Sequence, residues 1–261
     1  MLKPLSTICF LLISFLTLTA QPVDSTRIIR VLTYNIYHGE TMKGDFDLDL
    51  IAKVIKSVDP DIVALQEVDY KTNRARKMDL ATELGYRTKM TPLFGRAMYY
   101  DDGEYGEAIL SKYTFLQTIN HPLPYSEGKE PRALLEATIV LESGDTIRFA
   151  GTHLDHTKND YDRQNQAREI NGIYNNSTVP TILAGDLNDT ITSSAMKSLF
   201  KNWTSVYQER QGTYPSSYAG RMIDYILFRP ANKWRVVEKQ IICDMWASDH
   251  CAVFAVLELL D

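Results

Sequence analysis

The sequence predicts an α/β (α+β) fold in which β-sheets pack on one another and helices lie outside. Three observations carry that prediction. Nine strand-like apolar runs stand against three stretches of helical periodicity. Only some of those runs alternate with helices, which argues against a simple doubly wound parallel sheet. No repeat, low-complexity tract or Gly/Ser-rich linker interrupts residues 27–261, so one domain accounts for them.

The chain opens with Lys3, an apolar stretch over residues 8–18 and the small-polar exit TLTAQ. That is the layout of a secretory signal peptide over residues 1–20, too short for a comfortable membrane span. Cys9 lies inside the apolar stretch rather than just after it, so lipid attachment at a cysteine is not indicated. The mature chain is expected to start near Gln21, to carry no transmembrane segment, and to be exported to the periplasm or the extracellular space.

Strand-like runs follow at 28–36, 61–68, 107–111, 133–141, 146–153, 179–184, 222–228, 236–242 and 251–257. Leu48, Ile51, Ile55 and Val58 form one apolar face after the acidic start DFDLD, which predicts a helix that DPD stops. A second helix is predicted over 160–174, with Ala167, Ile170, Ile173 and Tyr174 facing inward. A third covers 78–84 and is closed by Gly85.

With 28 basic and 33 acidic residues the chain is net acidic, so no global charge attracts a polyanion. Beyond the leader only Cys243 and Cys251 remain. They are expected to be buried free thiols, with pairing in an oxidising compartment as the alternative.

The informative pattern is what terminates the strands. Asn35 ends IRVLTYN, Glu67 ends IVALQE, and IRFAGTHLD delivers His153 and Asp155. TILAGDLN delivers Asp186 and Asn188, IDYIL holds Asp224, and WASDH places Asp249 beside His250. A lone Asp or Asn at a strand end usually caps a turn. Asp224 is different, because an unpaired carboxylate in an apolar strand costs several kcal/mol. It needs a partner, and a histidine is the obvious one. Hard oxygen donors with histidines, and no cysteine cluster, suit magnesium, manganese or calcium better than zinc.

These motifs, with YGEAILSK at Glu107, resemble the endonuclease/exonuclease/phosphatase superfamily, the fold of pancreatic deoxyribonuclease and abasic-site endonucleases. They stand in the family's order and span nearly the whole mature chain. GDLN alone is weak; the ordered set is specific. The resemblance implies a four-layer α/β/β/α sandwich, two mixed β-sheets packed face to face with outer helices and the catalytic residues at one edge. It implies Mg²⁺, or Mn²⁺ in its place, held chiefly by Glu67 with Asp249 and help from Asn35. Tyr37 stands where some relatives carry a further acid, which argues against a second metal at that end.

The resemblance also implies roles. Asp186 would orient and deprotonate water, and Asn188 would hydrogen-bond the phosphate. His250 would stabilise the phosphoryl group as imidazolium, held by Asp224. His153 would contact a second phosphoryl oxygen or the leaving group, oriented by Glu107. Asp155, at i+2 from His153, should share its face and bind substrate or a second cation.

Substrate choice falls to loops at 94–106, 121–132, 156–162 and 212–221, which are rich in tyrosine and acids and poor in base. The basic cluster YKTNRARK is expected to be mostly solvated. Arg132, opening a strand that heads into the core, is the better phosphate contact. The expectation is therefore an exported phosphodiesterase or phosphatase acting on a small or lipid-linked phosphoester. A secreted nuclease is the alternative, with nucleic acid possible but not favoured. An inactive phosphoester-binding protein ranks third, since every expected acid, amide and histidine is present. No WCDR context precedes Asp224, which disfavours a phosphoinositide phosphatase, and no protein partner is indicated.

Overall fold

The computed structural model describes residues 25–209 and 211–261, so the predicted leader over residues 1–20 lies outside the described residues. Helix α1 (Leu48–Lys56) begins where the Asp47 side chain accepts the N–H groups of Asp49 and Leu50. Such a cap satisfies donors that the first turn leaves without intrahelical partners. Helix α2 (Leu80–Thr88) runs through Gly85 and stops at Lys89, which is left-handed at φ 59°. Gly85 serves packing rather than termination: a Cβ there would sit 2.8 Å from the Met90 carbonyl oxygen. Helix α3 (Tyr161–Tyr174) falls where periodicity placed it. The short α4 (Ser194–Leu199), capped by Ser193, offers too few residues for a period to show.

Two six-stranded sheets organise the chain. In strand order the first contains β11 (Trp234–Ile242), β12 (Ala252–Leu259), β1 (Ile28–Asn35), β2 (Ile62–Tyr70), β4 (Gly103–Ser111) and β3 (Thr91–Tyr100). The second contains β5 (Gln117–Leu123), β6 (Arg132–Val140), β7 (Thr146–His153), β8 (Thr181–Asp186), β10 (Asp224–Arg229) and β9 (Thr204–Ser205). Each sheet is mixed. β1 pairs with β2 in parallel across α1, β7 with β8 in parallel across α3, and the other pairs are antiparallel. A parallel neighbour requires a crossover, which each helix supplies. β3 and β5 lie at sheet edges, β5 mostly exposed and β3 mostly half-buried or exposed, so neither carries the apolar run that reveals a central strand.

The inner faces pack on each other through Val31, Ile62, Ala64 and Ile109 of one sheet and Leu134, Phe149, Ile182 and Ala184 of the other, all buried. Leu48, Ile51 and Ile55 of α1 and Leu80 and Leu84 of α2 cover the outer face of the first sheet. Ala167, Ile170 and Tyr174 of α3, with Met196 and Leu199 of α4, pack against the second. The result is the expected sandwich of two mixed sheets with outer helices. Among the described residues no helix is long and apolar enough to cross a membrane.

One expectation is corrected here. Cys243 and Cys251 are joined in a disulfide, not free. The cause is register: Ile242 of β11 pairs with Ala252 of β12, so the next residue out on each strand faces the other, Cα atoms 4.3 Å apart. Disulfides usually join Cα atoms roughly 4.4–6.8 Å apart, and a close antiparallel pair stands at the short end of that range without backbone movement.

Candidate active site

The strand ends named in the sequence converge on one cavity of about 420 Å³. Asn35 ends β1, Glu67 lies late in β2, His153 ends β7, Asp186 ends β8 and Asp224 begins β10. Asp186 pairs in register with both His153 and Asp224, which sets three polar side chains across one sheet edge. Gly185 makes that spacing possible, because a Cβ there would lie 1.9 Å from the Thr152 carbonyl oxygen. Asp249 and His250 sit on an irregular lead-in before β12 rather than within it. Strand alternation therefore does not force them to opposite faces.

The lead-in is held from three sides. The Ser248 hydroxyl donates to the Asn35 carbonyl oxygen at 2.7 Å and accepts the His250 N–H at 3.1 Å. The Ser216 N–H donates to the Asp249 carbonyl oxygen at 2.6 Å, and the Cys251 N–H donates to that of Thr213 at 2.7 Å. The Thr213 hydroxyl oxygen accepts the Asp224 N–H at 3.3 Å, tying the same loop to β10.

His250 Nδ1 lies 3.0 and 3.1 Å from the two Asp224 oxygens, and its Nε2 lies 3.7 Å from Asp186 Oδ2. Burial opposes charge on this ring, yet the carboxylates of Asp224 and Asp186 outweigh it and push the imidazole up to about 10. Asp186 is raised in its turn, by burial and then by the Asp224 charge. His153 Nε2 meets the Asn188 amide nitrogen at 2.8 Å and Asp186 Oδ2 at 3.5 Å. Burial, with Arg132 nearby, holds His153 well below its usual range, so it is neutral.

Glu67 reaches the cavity through a break in β2. Pairing with β4 shifts between Leu65 and Val68, and Glu67 takes a left-handed φ of 59°. A bulge re-aims a side chain out of strand alternation, and a non-glycine residue held there stores backbone strain. Burial works against its charge, but His38, His153 and the Asn35 amide bring its carboxyl down to about 2. Asn35 Nδ2 donates to Glu67 at 3.1 Å and to Asp186 at 3.2 Å, while its Oδ1 accepts the Tyr37 N–H. In this geometry the Asn35 amide bridges the two acids. Asp249 is raised by burial and by Glu67 across the cavity.

Two anticipated contacts are absent. Glu107 does not orient His153: neither its carboxylate oxygens nor His153 Nδ1 has a hydrogen-bond partner. Glu107 projects from the first sheet and His153 from the second, and complete burial keeps Glu107 protonated well above the usual carboxylate range. Asp155 does not share the face of His153. Strand β7 ends at His153, so alternation ends with it. The Asp155 carboxylate turns inward, accepts the Thr157 N–H at 3.0 Å and faces Arg163 at 3.7 Å. Arg132, by contrast, lies on the cavity wall.

The sequence did not single out His38, Tyr105 or Tyr214, all on the cavity wall. His38 lies 3.5 Å from Glu67, and its signal was a histidine three residues beyond Asn35. Arg74, assigned to a solvated cluster, is held bidentate by Asp69 at 2.7 and 2.8 Å.

Asp186, Asp224 and His250 each place an atom within 4.8 Å of the others. Since Asp224 occupies His250 Nδ1 and the ring is charged, that cluster is an acid–base network rather than a cation cage. Glu67 and Asp249 are the better fit for a divalent ion. They are oxygen donors on the cavity wall whose mutual repulsion a cation relieves.

The profile of the endonuclease/exonuclease/phosphatase family matches residues 32–250. No curated protein is similar enough in sequence to count as a match. Among solved structures, an endonuclease/exonuclease/phosphatase from Beutenbergia cavernae superposes with a TM-score of 0.75 at 23% identity, covering 89% of this chain and 72% of its own. The human Nocturnin catalytic domain with bound sulfate gives 0.71 at 20% identity, with coverage of 91% and 97%. A Bacteroides thetaiotaomicron mannosyl-6-phosphatase gives 0.69 at 18% identity, with coverage of 89% and 100%. Such identities speak to the fold, whereas the profile spans most of the chain. The chain belongs to the endonuclease/exonuclease/phosphatase family, whose members are hydrolases acting on phosphoester bonds.

Proposed function

We propose that the protein is an exported, Mg²⁺-dependent phosphodiesterase or phosphatase acting on a small or lipid-linked phosphoester. The observation that carries this is the buried Asp224–His250–Asp186 network opening on the cavity that Glu67 and Asp249 also line. The apolar stretch at residues 8–18 and the Cys243–Cys251 bond, which suits an oxidising compartment, support export.

Glu67 and Asp249 would hold Mg²⁺, or Mn²⁺, which when bound neutralises charge on the phosphoryl oxygens. Asp186, steadied by Asn35, accepts the proton of the attacking water. His250, charged and backed by Asp224, stabilises the charge that grows on the phosphoryl group. His153, whose Nε2 accepts the Asn188 amide N–H, would meet another phosphoryl oxygen or the leaving group once the substrate displaces that amide and the ring proton moves to Nε2.

A nuclease would present free cations along a groove. The basic cluster after β2 is largely engaged instead: Arg74 with Asp69, Lys77 with Asp102, Arg76 over Phe46 and Lys71 over Tyr70. The test is hydrolysis of bis-nitrophenyl phosphate, sugar phosphates, phospholipid head groups and plasmid DNA, with Mg²⁺ and with chelator. Asp186→Asn and His250→Ala should each lower turnover of the preferred ester by ~100-fold or more. Near-wild-type rates for either purified variant would remove the assignment, and preferred cleavage of DNA would favour a nuclease.

A further inference from the structure

The cavity has a second chemical character that hydrolysis alone does not use. The reacting groups come from β1, β2 and the lead-in to β12 in one sheet and from β10, β8 and β7 of the other. Part of the remaining wall lies further out, with Tyr105 of β4 and Tyr100 of β3 one and two strands beyond β2, and Arg132 of β6 one strand beyond β7. Leu134 pairs with Thr152 and His153 with Asp186, so Arg132 lies at the same strand-end level as the reacting groups. Two interstrand spacings separate β6 from β8, about 10 Å.

The Arg132 side chain is 1% exposed, with the Tyr105 hydroxyl beside the guanidinium, yet neither Nε nor Nη1 makes a well-aligned hydrogen bond. Nη2 is engaged by Glu130 at 2.8 Å and His156 Nδ1 at 3.1 Å, and both of those side chains stand at the mouth, 44% and 55% exposed. Glu107, the buried acid nearest in character, makes no hydrogen bond to it. Buried polar groups are almost always satisfied, and a guanidinium is a fork built for a planar pair of oxygens. Beside it, Arg74 is locked by Asp69 and lies over the Tyr100 ring at 4.6 Å and the Tyr105 ring at 5.5 Å. This end of the cavity is therefore rigid, cationic and partly unsatisfied.

We propose that it is a second oxyanion subsite, so that the substrate is a small molecule with two anionic groups: the phosphoryl group to be cleaved and a second phosphate or carboxylate received by Arg132. Glu130 holds the fork until the substrate's oxyanion replaces it. The inference rests on the phosphoesterase reading above and narrows its substrate class.

Steady-state hydrolysis by the purified full chain with Mg²⁺ tests it. The substrates are a sugar bisphosphate, the matching monophosphate, a phosphosugar acid, bis-nitrophenyl phosphate and a short oligonucleotide. The wild type should favour a bis-anionic sugar over the monophosphate by about tenfold or more in kcat/KM, mostly through KM. Arg132→Gln should bring that ratio close to one, and Arg132→Lys should keep part of it. Should Arg132→Gln melt early, Glu130→Gln supplies the readout, since it should widen the ratio by lowering the bis-anion KM. No wild-type preference, an unchanged ratio in both variants, or equal loss on both substrates in Arg132→Gln would overturn the proposal. The last result would assign Arg132 to the scissile phosphoryl group. Faster cleavage of the oligonucleotide than of every sugar phosphate would also overturn it. Turnover of no phosphoester at all would defeat the proposed function instead.

Discussion

His250 keeps its charge because two carboxylates face one ring, Asp224 at Nδ1 and Asp186 towards Nε2. Its folded pKa, about 10, lies above the ordinary 6.5. The contribution to stability is therefore complete below pH 6.5 and is lost as pH rises through about 10. Replacing Asp224 with Asn removes the largest influence that raises the ring. The alkaline limb of kcat/KM should then move to lower pH, and a pH–rate profile with an unmoved limb would show that the imidazolium is not what the limb reports. Glu67 makes a separate prediction. If its carboxylate is the principal cation donor, Glu67→Gln should raise the Mg²⁺ concentration for half-maximal activity by about tenfold or more. A titration with an unchanged midpoint would move the cation elsewhere.

The segment between β11 and β12 carries both Asp249 and His250 and is closed at its base by the Cys243–Cys251 bond. A link across so short a loop removes roughly 2–3 kcal/mol of unfolded-state freedom. Changing both cysteines to Ser should lower Tm by about 5–10 °C for a chain of this length. It should also lower kcat at temperatures where the protein is fully folded, because the loop that aims both residues loses its tie. Full activity below the new Tm would show that the Ser248 and Ser216 contacts suffice. Elements differ in how plainly the chain announces them. Central strands with polar ends, such as 146–153 and 179–184, stand out because both faces are buried and only the tip is wet. The edge strands β3 and β5 do not, since water accepts any side chain there. The Asp224–His250 pairing was legible because a buried acid demands a partner. The bulge at Glu67, the turn of Asp155 away from its neighbour and the missing Glu107 contact depend on register and strand ends, which no local pattern encodes. The disulfide was hidden for the same reason.

At the scale of the whole molecule, the site belongs to neither sheet alone. Asn35, Glu67, Asp249 and His250 come from the first sheet and its loops, and His153, Asp186 and Asp224 from the second. The spacing between sheets therefore sets the distances on which the chemistry depends. That spacing is tight at Gly151 in β7, where an added Cβ would lie 3.3 Å from Ala64 Cβ in β2. Gly151→Val inserts a branched side chain between two buried strands with little room to yield. Overpacking of this kind costs about 1–3 kcal/mol, or a fall in Tm of roughly 2–12 °C. Unlike a cavity-forming change such as Phe149→Ala, which removes contacts at about 3–5 kcal/mol without wedging the sheets apart, it should also separate Glu67 from Asp186. Gly151→Val should then lose kcat out of proportion to its stability loss, and Phe149→Ala should lose stability out of proportion to kcat. Thermal melts paired with turnover at 20 °C below each Tm compare the two. Equal kcat in both variants would mean that the strand ends hold the site independently of how closely the sheets approach.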